Sequence, residues 1–244
     1  MEIIGVDHVQ FAVRDVDAGA RLLWRHGYAL HFEEPDFNAQ ARSYFRGLKK
    51  SMAYLKRGGS RVELITGAEQ EGEVRYIPVF GGRESTGRRP AFDIGDFRAF
   101  WHEDLSSVCA SRTGEAPALD SVILRASRPE HSLAFWRGLG FAPISEDGDW
   151  YKLAFPRNLI SMPLTILLAR HACADGQGAQ VDDLGCSSIA LITRDLRADR
   201  SALDGARHTV SEVTALRING KPLSLCFATG PSGELVELVE FGRA

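Results

Sequence analysis

The sequence predicts an α+β fold assembled from repeated β-α-β-β-β units. Three observations predict it. First, the stretches 6–28, 119–141 and 186–204 share one order: a β-rich run, a polar turn, then a short helical pattern. Second, Asp15, Pro129 and Asp195 stand where those helices would begin, as side-chain cap acceptors or a proline in the first turn. Third, Gly27 and Gly140 stop the first two helices, as a glycine just past a helix end does, and strand-like runs follow in every copy.

In the first unit, 1–66, side chains alternate along the opening strand. His8, Gln10 and Ala12 share one face, and Val9, Phe11 and Val13 share the apolar other. Leu22 and Leu23 give the following helix its buried side, and the runs 28–32, 51–56 and 61–65 supply three strands. The stretch 67–118 is punctuated by Gly, Arg and Pro and offers only 74–80 and 96–101 as elements. It reads as a degenerate unit or as a wrapping linker, and both readings stay open. The second recognisable unit, 119–172, adds strands at 141–144, 150–155 and 164–169. The last, 181–244, adds them at 209–213, 223–228 and 234–241. Trp24 and Trp136 take nearly matching helix positions and are expected in the core.

Composition narrows the function. With 244 residues, 44% apolar and 25% charged, the chain is an ordinary globular one, which excludes disordered and fibrous classes. Lys+Arg 29 against Asp+Glu 32 leaves a net charge of −3, so no general attraction to nucleic acid or anionic membrane is expected, and the expected partner is a small-molecule ligand or substrate. No apolar run approaches a membrane span, and the first residues lack a basic and apolar leader, so the expectation is a cytoplasmic protein. Cys109, Cys173, Cys186 and Cys226 form no CxxC pair and are expected to be reduced.

The segment 7–15 reads Asp-His-Val-x-x-x-Val-x-Asp, and the last strands of the first and last units carry Val62-Glu63-Leu64 and Val236-Glu237-Leu238. In these motifs and in its β-α-β-β-β repeat, the chain resembles the vicinal oxygen chelate superfamily, which includes glyoxalase I, extradiol dioxygenases, fosfomycin-resistance enzymes and bleomycin-binding proteins. The resemblance implies that units pair into incomplete barrels around a cup, where a divalent metal is held by the first and last strand of each unit. Carried over, the metal positions fall on His8 and Glu63, on Ser188 and Glu237, and on Ser121 and about Thr165. Extradiol dioxygenases of four units keep two histidines and a glutamate in their C-terminal half; here that half retains only Glu237, which argues against ordinary extradiol chemistry.

The residues support a metal site apart from the resemblance. Glu63 is a lone carboxylate between Val62 and Leu64, and a buried unpaired carboxylate costs several kcal/mol unless a cation, a hydrogen-bond cluster or solvent compensates it. His8 with one or two carboxylates suits Mn, Fe, Ni or Zn as a divalent cofactor. The third ligand is Glu237, His102, or a side chain supplied across a symmetric homodimer. Gln10 is the candidate catalytic group, as a base or orienting residue, and Trp101 and Trp150 are candidates to wall a substrate pocket. Arg83, Arg88 and Arg89, together with Lys49, Lys50, Lys56 and Arg57, are candidates to clamp an anion. Two functions follow: a metal-dependent enzyme of lyase, isomerase or dioxygenase type acting on a small oxygen-rich or aromatic molecule, or a metal-free binding protein of the bleomycin-resistance type.

Overall fold

Four runs of strands fold into two sheets in the computed structural model, which describes residues 1–38, 44–46, 49–68, 76–81, 89–94, 97–112, 118–147, 150–169 and 180–242. The first run holds β1 (Ile3–Val13), α1 (Val16–Arg25), β2 (Ala29–Asn38), β3 (Lys49–Arg57) and β4 (Ser60–Thr66). The next holds β5 (Tyr76–Gly81), β6 (Arg89–Ile94), β7 (Phe97–His102), a 3-10 turn (Glu103–Leu105) and β8 (Ser107–Arg112). The third holds β9 (Leu119–Arg125), α2 (Pro129–Gly138), β10 (Ala142–Asp147), β11 (Trp150–Ala154) and β12 (Thr165–Ala169). The last holds β13 (Gly185–Thr193), α3 (Leu196–Gly205), β14 (Thr209–Val210), β15 (Thr214–Ile218), β16 (Lys221–Thr229) and β17 (Leu235–Phe241).

In every run the first strand lies parallel to the last: β1 with β4, β5 with β8, β9 with β12, β13 with β17. Residues 76–112 follow the path β5-β8-β7-β6, the same as β1-β4-β3-β2, so this stretch is built like a unit. The strands β6 and β8 are not apparent in the sequence. Arg89-Pro90 reads as a breaker, but β6 is an edge strand, where proline is tolerated.

The first and last runs join through antiparallel pairing of β1 with β13, and the middle two join through β5 with β9. The main apolar core unites alternate residues of both sheets, such as Val9, Phe11, Val122 and Ile189, with the buried sides of the helices. Helix starts follow the sequence logic: Asp15 accepts from the Ala18 N–H at 3.0 Å, and Asp195 from that of Ala198 at 2.9 Å. Trp136 is fully buried, whereas Trp24 is 72% exposed, which corrects its core assignment. The closing glycines align Leu23, not Trp24, with Trp136, so Trp24 falls one position off the buried face.

The residues after the helices take left-handed backbone conformations: Gly27 (φ 83°), Gly140 (φ 94°) and, in the last copy, Arg207 (φ 64°). A Cβ at Gly140 would also approach Phe155 Cε2 to 3.1 Å. Gly140→Ala is therefore expected to cost ~1–2 kcal/mol in urea unfolding, and Arg207→Gly to stabilise by up to ~1 kcal/mol. No helix among the described residues is long and apolar enough to cross a membrane.

Candidate metal centre

The centre is built where β1 departs from regular pairing. Between Val6 and Val9 the register with β13 slips, so Asp7 and His8 together oppose the single residue Ala190. A bulge of this kind re-aims side chains. Neighbours that would point to opposite faces of a regular strand both line the cavity on the concave face of the sheet. The parallel partner strands then bring one carboxylate from each side. On β4, Glu63 pairs with Gln10 of β1, and on β17, Glu237 pairs with Ala190 of β13.

His8 Nε2 lies 3.6 Å from Glu63 Oε2 and 3.7 Å from Glu237 Oε2, and one ligand atom from each of the three side chains falls within 4.8 Å of the others. Those separations exceed N–H···O hydrogen-bond range, and Nε2 is buried with no hydrogen-bond partner. The other ring nitrogen is committed: Nδ1–H donates to Asp7 Oδ2 at 2.9 Å, which turns Nε2 toward the carboxylates. Asp7 in turn accepts from Tyr54 OH at 3.0 Å and faces Arg61 Nη1 at 3.6 Å. Donors about 2.1 Å from a shared ion stand roughly 3.0–3.4 Å apart, so each His8–carboxylate pair reaches chelating distance after a contraction of a few tenths of an ångström, and all three donors lie within 4.8 Å of one another. A carboxylate–imidazole pair behind the metal-facing nitrogen is the arrangement that fixes a ligating histidine.

The electrostatics give the same picture from the side of the protons. Burial lowers the His8 pKa, but Glu63, Asp7 and Glu237 outweigh it and raise it to about 9. Burial raises Glu237 to about 8 against the opposing pull of His8, and burial raises Glu63 as well. For Asp7, burial is overcome by the hydrogen bond and charge of His8 and by Arg61, so its pKa is lowered. Without a cation, the folded chain thus holds protons on His8 and Glu237 that the unfolded chain sheds near 6.5 and 4.5. The metal-free protein is expected to lose stability steadily as pH rises from about 4.5 to 9. A divalent ion must displace those protons, so calorimetry at pH 7 in buffers of differing ionisation heat is expected to count about one to two protons released per ion.

Above the triad is a cavity of about 360 Å³ whose walls are mainly apolar, among them Phe32, Phe45, Met52, Leu216 and Phe227. One wall is the β15–β16 hairpin, which strand patterning in the sequence missed. Its signal was the Asn219-Gly220 pair, both residues with positive φ (49° and 71°), which is the favoured two-residue hairpin turn. Another wall is held down by charge. Lys50 Nζ donates to Asp182 Oδ2 at 2.6 Å, both side chains being almost fully buried, and Arg46 pairs with Asp183. Tyr44 stacks on Phe227 at 5.3 Å, and Phe45 packs edge-on to the same ring.

Of the residues singled out in the sequence, His8, Glu63, Glu237 and Gln10 meet in this cavity. Gln10 Oε1 accepts from Ser188 Oγ at 3.0 Å, and its buried Nε2 has no hydrogen-bond partner. Trp101, Trp150 and His102 lie on the other sheet and do not line it. Trp101 and Trp150 pack against the apolar cluster of Ile77, Ile123 and Leu167. Register gives that sheet's counterparts of the four positions His8, Glu63, Ser188 and Glu237 as Ile77, Ala110, Ser121 and Leu167, so the carboxylate position beside Ser121 falls on Leu167 and not Thr165, and no ligand set stands there among the described residues. Asp7 and Tyr54 were missed as parts of the site. Strand alternation points Asp7 away, whereas Tyr54 could have been found from its sharing a face with Met52 and Lys56. Arg83 and Arg88 lie outside the described residues, as does the side chain of Arg89.

No protein-family model matches the chain, and no curated protein matches it by sequence. Solved structures do match in fold. A Bacillus subtilis 168 protein provisionally assigned as a dioxygenase superposes with a TM-score of 0.67 at 11% identity, covering 100% of this chain and 87% of that one. Two single-substitution variants of Zea mays glyoxalase I superpose with TM-scores of 0.62 and 0.63 at 16% and 14% identity, each covering 97% of this chain and 92% or 93% of theirs. The fold is therefore that of glyoxalase I, built here from two open sheets.

Proposed function

We propose that the chain is a divalent-metal-dependent enzyme that acts on a small oxygen-rich or aromatic molecule bound through two neighbouring oxygens, in chemistry of lyase, isomerase or dioxygenase type. One observation carries this reading: the buried His8 Nε2, without a hydrogen-bond partner and with Nδ1 held by Asp7, faces two buried carboxylates in the lining of a mainly apolar cavity. His8, Glu63 and Glu237 would hold the ion, which when bound would supply Lewis acidity to the substrate's oxygens. Asp7 keeps the proton on Nδ1, and Tyr54 and Arg61 keep Asp7 oriented. The Gln10 amide has a free donor turned into a dry site, suited to orienting a substrate oxygen. Phe32, Phe45 and Phe227 exclude water and offer faces to a flat molecule.

A metal-free binding protein is the second reading. The apolar walls favour it, and so does an imidazolium able to offset the two carboxylates without any ion. Metal analysis of protein purified without a histidine tag separates the two. The enzyme reading expects close to one Mn, Fe, Ni or Zn per chain and a melting temperature that falls on chelation. A chain that stays empty after incubation with each ion, and whose melting temperature ignores the chelator, belongs to the second reading.

A further inference from the structure

The rim of the cavity carries charge that the metal centre does not use. The acidic side chains lining the cavity are Asp7, Glu63 and Glu237; the lysine and arginine side chains lining it are Lys56, Arg61 and Lys221. A divalent ion would offset Glu63 and Glu237, and Arg61 already faces Asp7. Lys56 and Lys221 then remain as two positive charges with no ion-pair partner among the described residues. Lys56 Nζ sits 5.5 Å from the centroid of the Tyr54 ring, and that ring meets His8 edge-on at 5.5 Å, so one aromatic ring separates the candidate metal ligand from the first rim cation. Lys221 begins β16, directly after the hairpin turn whose Asn219 also lines the cavity. Burial, with the nearby charges of Arg61 and Lys221, disfavours the charged form of Lys56, the condition an arriving anion relieves.

We infer that the substrate is a small aromatic or unsaturated carboxylate, whose neighbouring oxygens point to the His8–Glu63–Glu237 floor while its carboxylate is held at the mouth by Lys56 and Lys221. This assignment rests on the chelating reading of the floor and adds the charge, polarity and orientation of the substrate. Two separate ammonium groups above an apolar belt suit a compact anion at one end of a flat molecule. A neutral compound of the same shape would leave both ammonium groups uncompensated at a partly desolvated rim.

Calorimetric titration of the manganese-loaded chain with 3,4-dihydroxybenzoate and with its uncharged amide tests the assignment. The acid is expected to bind at least about tenfold more tightly than the amide, a difference of ~1.4 kcal/mol. In the double variant Lys56→Gln/Lys221→Gln the preference is expected to shrink to within about twofold, and in wild type it is expected to weaken as salt is raised. A wild-type ratio near one, a preference that survives the double variant, or failure of both compounds to bind the loaded chain overturns the carboxylate assignment. The isotherm for manganese alone reports the floor separately: if the ion itself does not bind, the chelating reading fails, whereas an ion that binds beside a lost acid preference sinks only the rim.

Discussion

His8→Ala is expected to weaken divalent-ion binding by at least about a thousandfold, ~4 kcal/mol, measured by competition with a fluorescent chelator. The imidazole is the one nitrogen donor of the triad and faces both carboxylates, with Nε2 3.6 and 3.7 Å from their oxygens. Glu237→Gln is expected to act in the same direction, since an amide offers a weaker ligand and removes one of the two negative charges that draw in the ion. Asp7→Asn should cost less, about ten- to a hundredfold, because it touches only the nitrogen behind the metal-facing one. This graded order is the signature of a ligand supported by an orienting carboxylate. A set of equal effects, or an Asp7 effect larger than that of His8, would contradict the assignment of roles. A purely hydrogen-bonded floor makes a different prediction: His8→Ala would lower the melting temperature equally with and without chelator.

Asp182→Ala is expected to destabilise the fold by about 3–5 kcal/mol in urea unfolding, because it strands the Lys50 ammonium in a site where neither partner has appreciable exposure. The Asp182 carboxylate also accepts from the Arg46 backbone N–H at 2.9 Å, so the loss is not confined to one pair. The double variant Lys50→Met/Asp182→Leu should recover most of the loss by replacing the ion pair with apolar volume. The site should register the same change. Phe45 lines the cavity and lies beside Arg46, so Asp182→Ala is expected to weaken ligand binding beyond its effect on stability, read as a larger salt-independent loss of affinity at a temperature where the variant is fully folded.

Much of this protein is legible in its sequence because the signals are local. The caps at Asp15 and Asp195, the proline at the first turn of α2 and the glycines after α1 and α2 act within a few residues of themselves, and each does in the structure what its chemistry demands. The alternation around His8 and the isolated carboxylates Glu63 and Glu237 likewise mark residues that an apolar strand would not otherwise carry.

What the sequence left open depends on pairing over long distances. Nothing local chooses whether the first run joins 67–118 or the last run; the antiparallel seam of β1 with β13 decides it, and so decides that Glu237 and not His102 faces His8. The same seam contains the bulge that turns Asp7 into the cavity, although period-two alternation assigns it to the opposite face. Trp24 shows the limit from the other direction: a residue type that favours burial ends on the surface because the helix phase, set by packing of Leu22 and Leu23, leaves it outside. By itself, then, the sequence determined the three strand–helix openings, their caps and the chemical types placed on each strand, since those follow from neighbours in the chain. Only the tertiary structure decided which strands share a sheet, and with them that His8, Glu63 and Glu237 meet on one sheet while their counterparts on the other are mainly apolar, because register and seam are set by contacts between residues far apart in the chain.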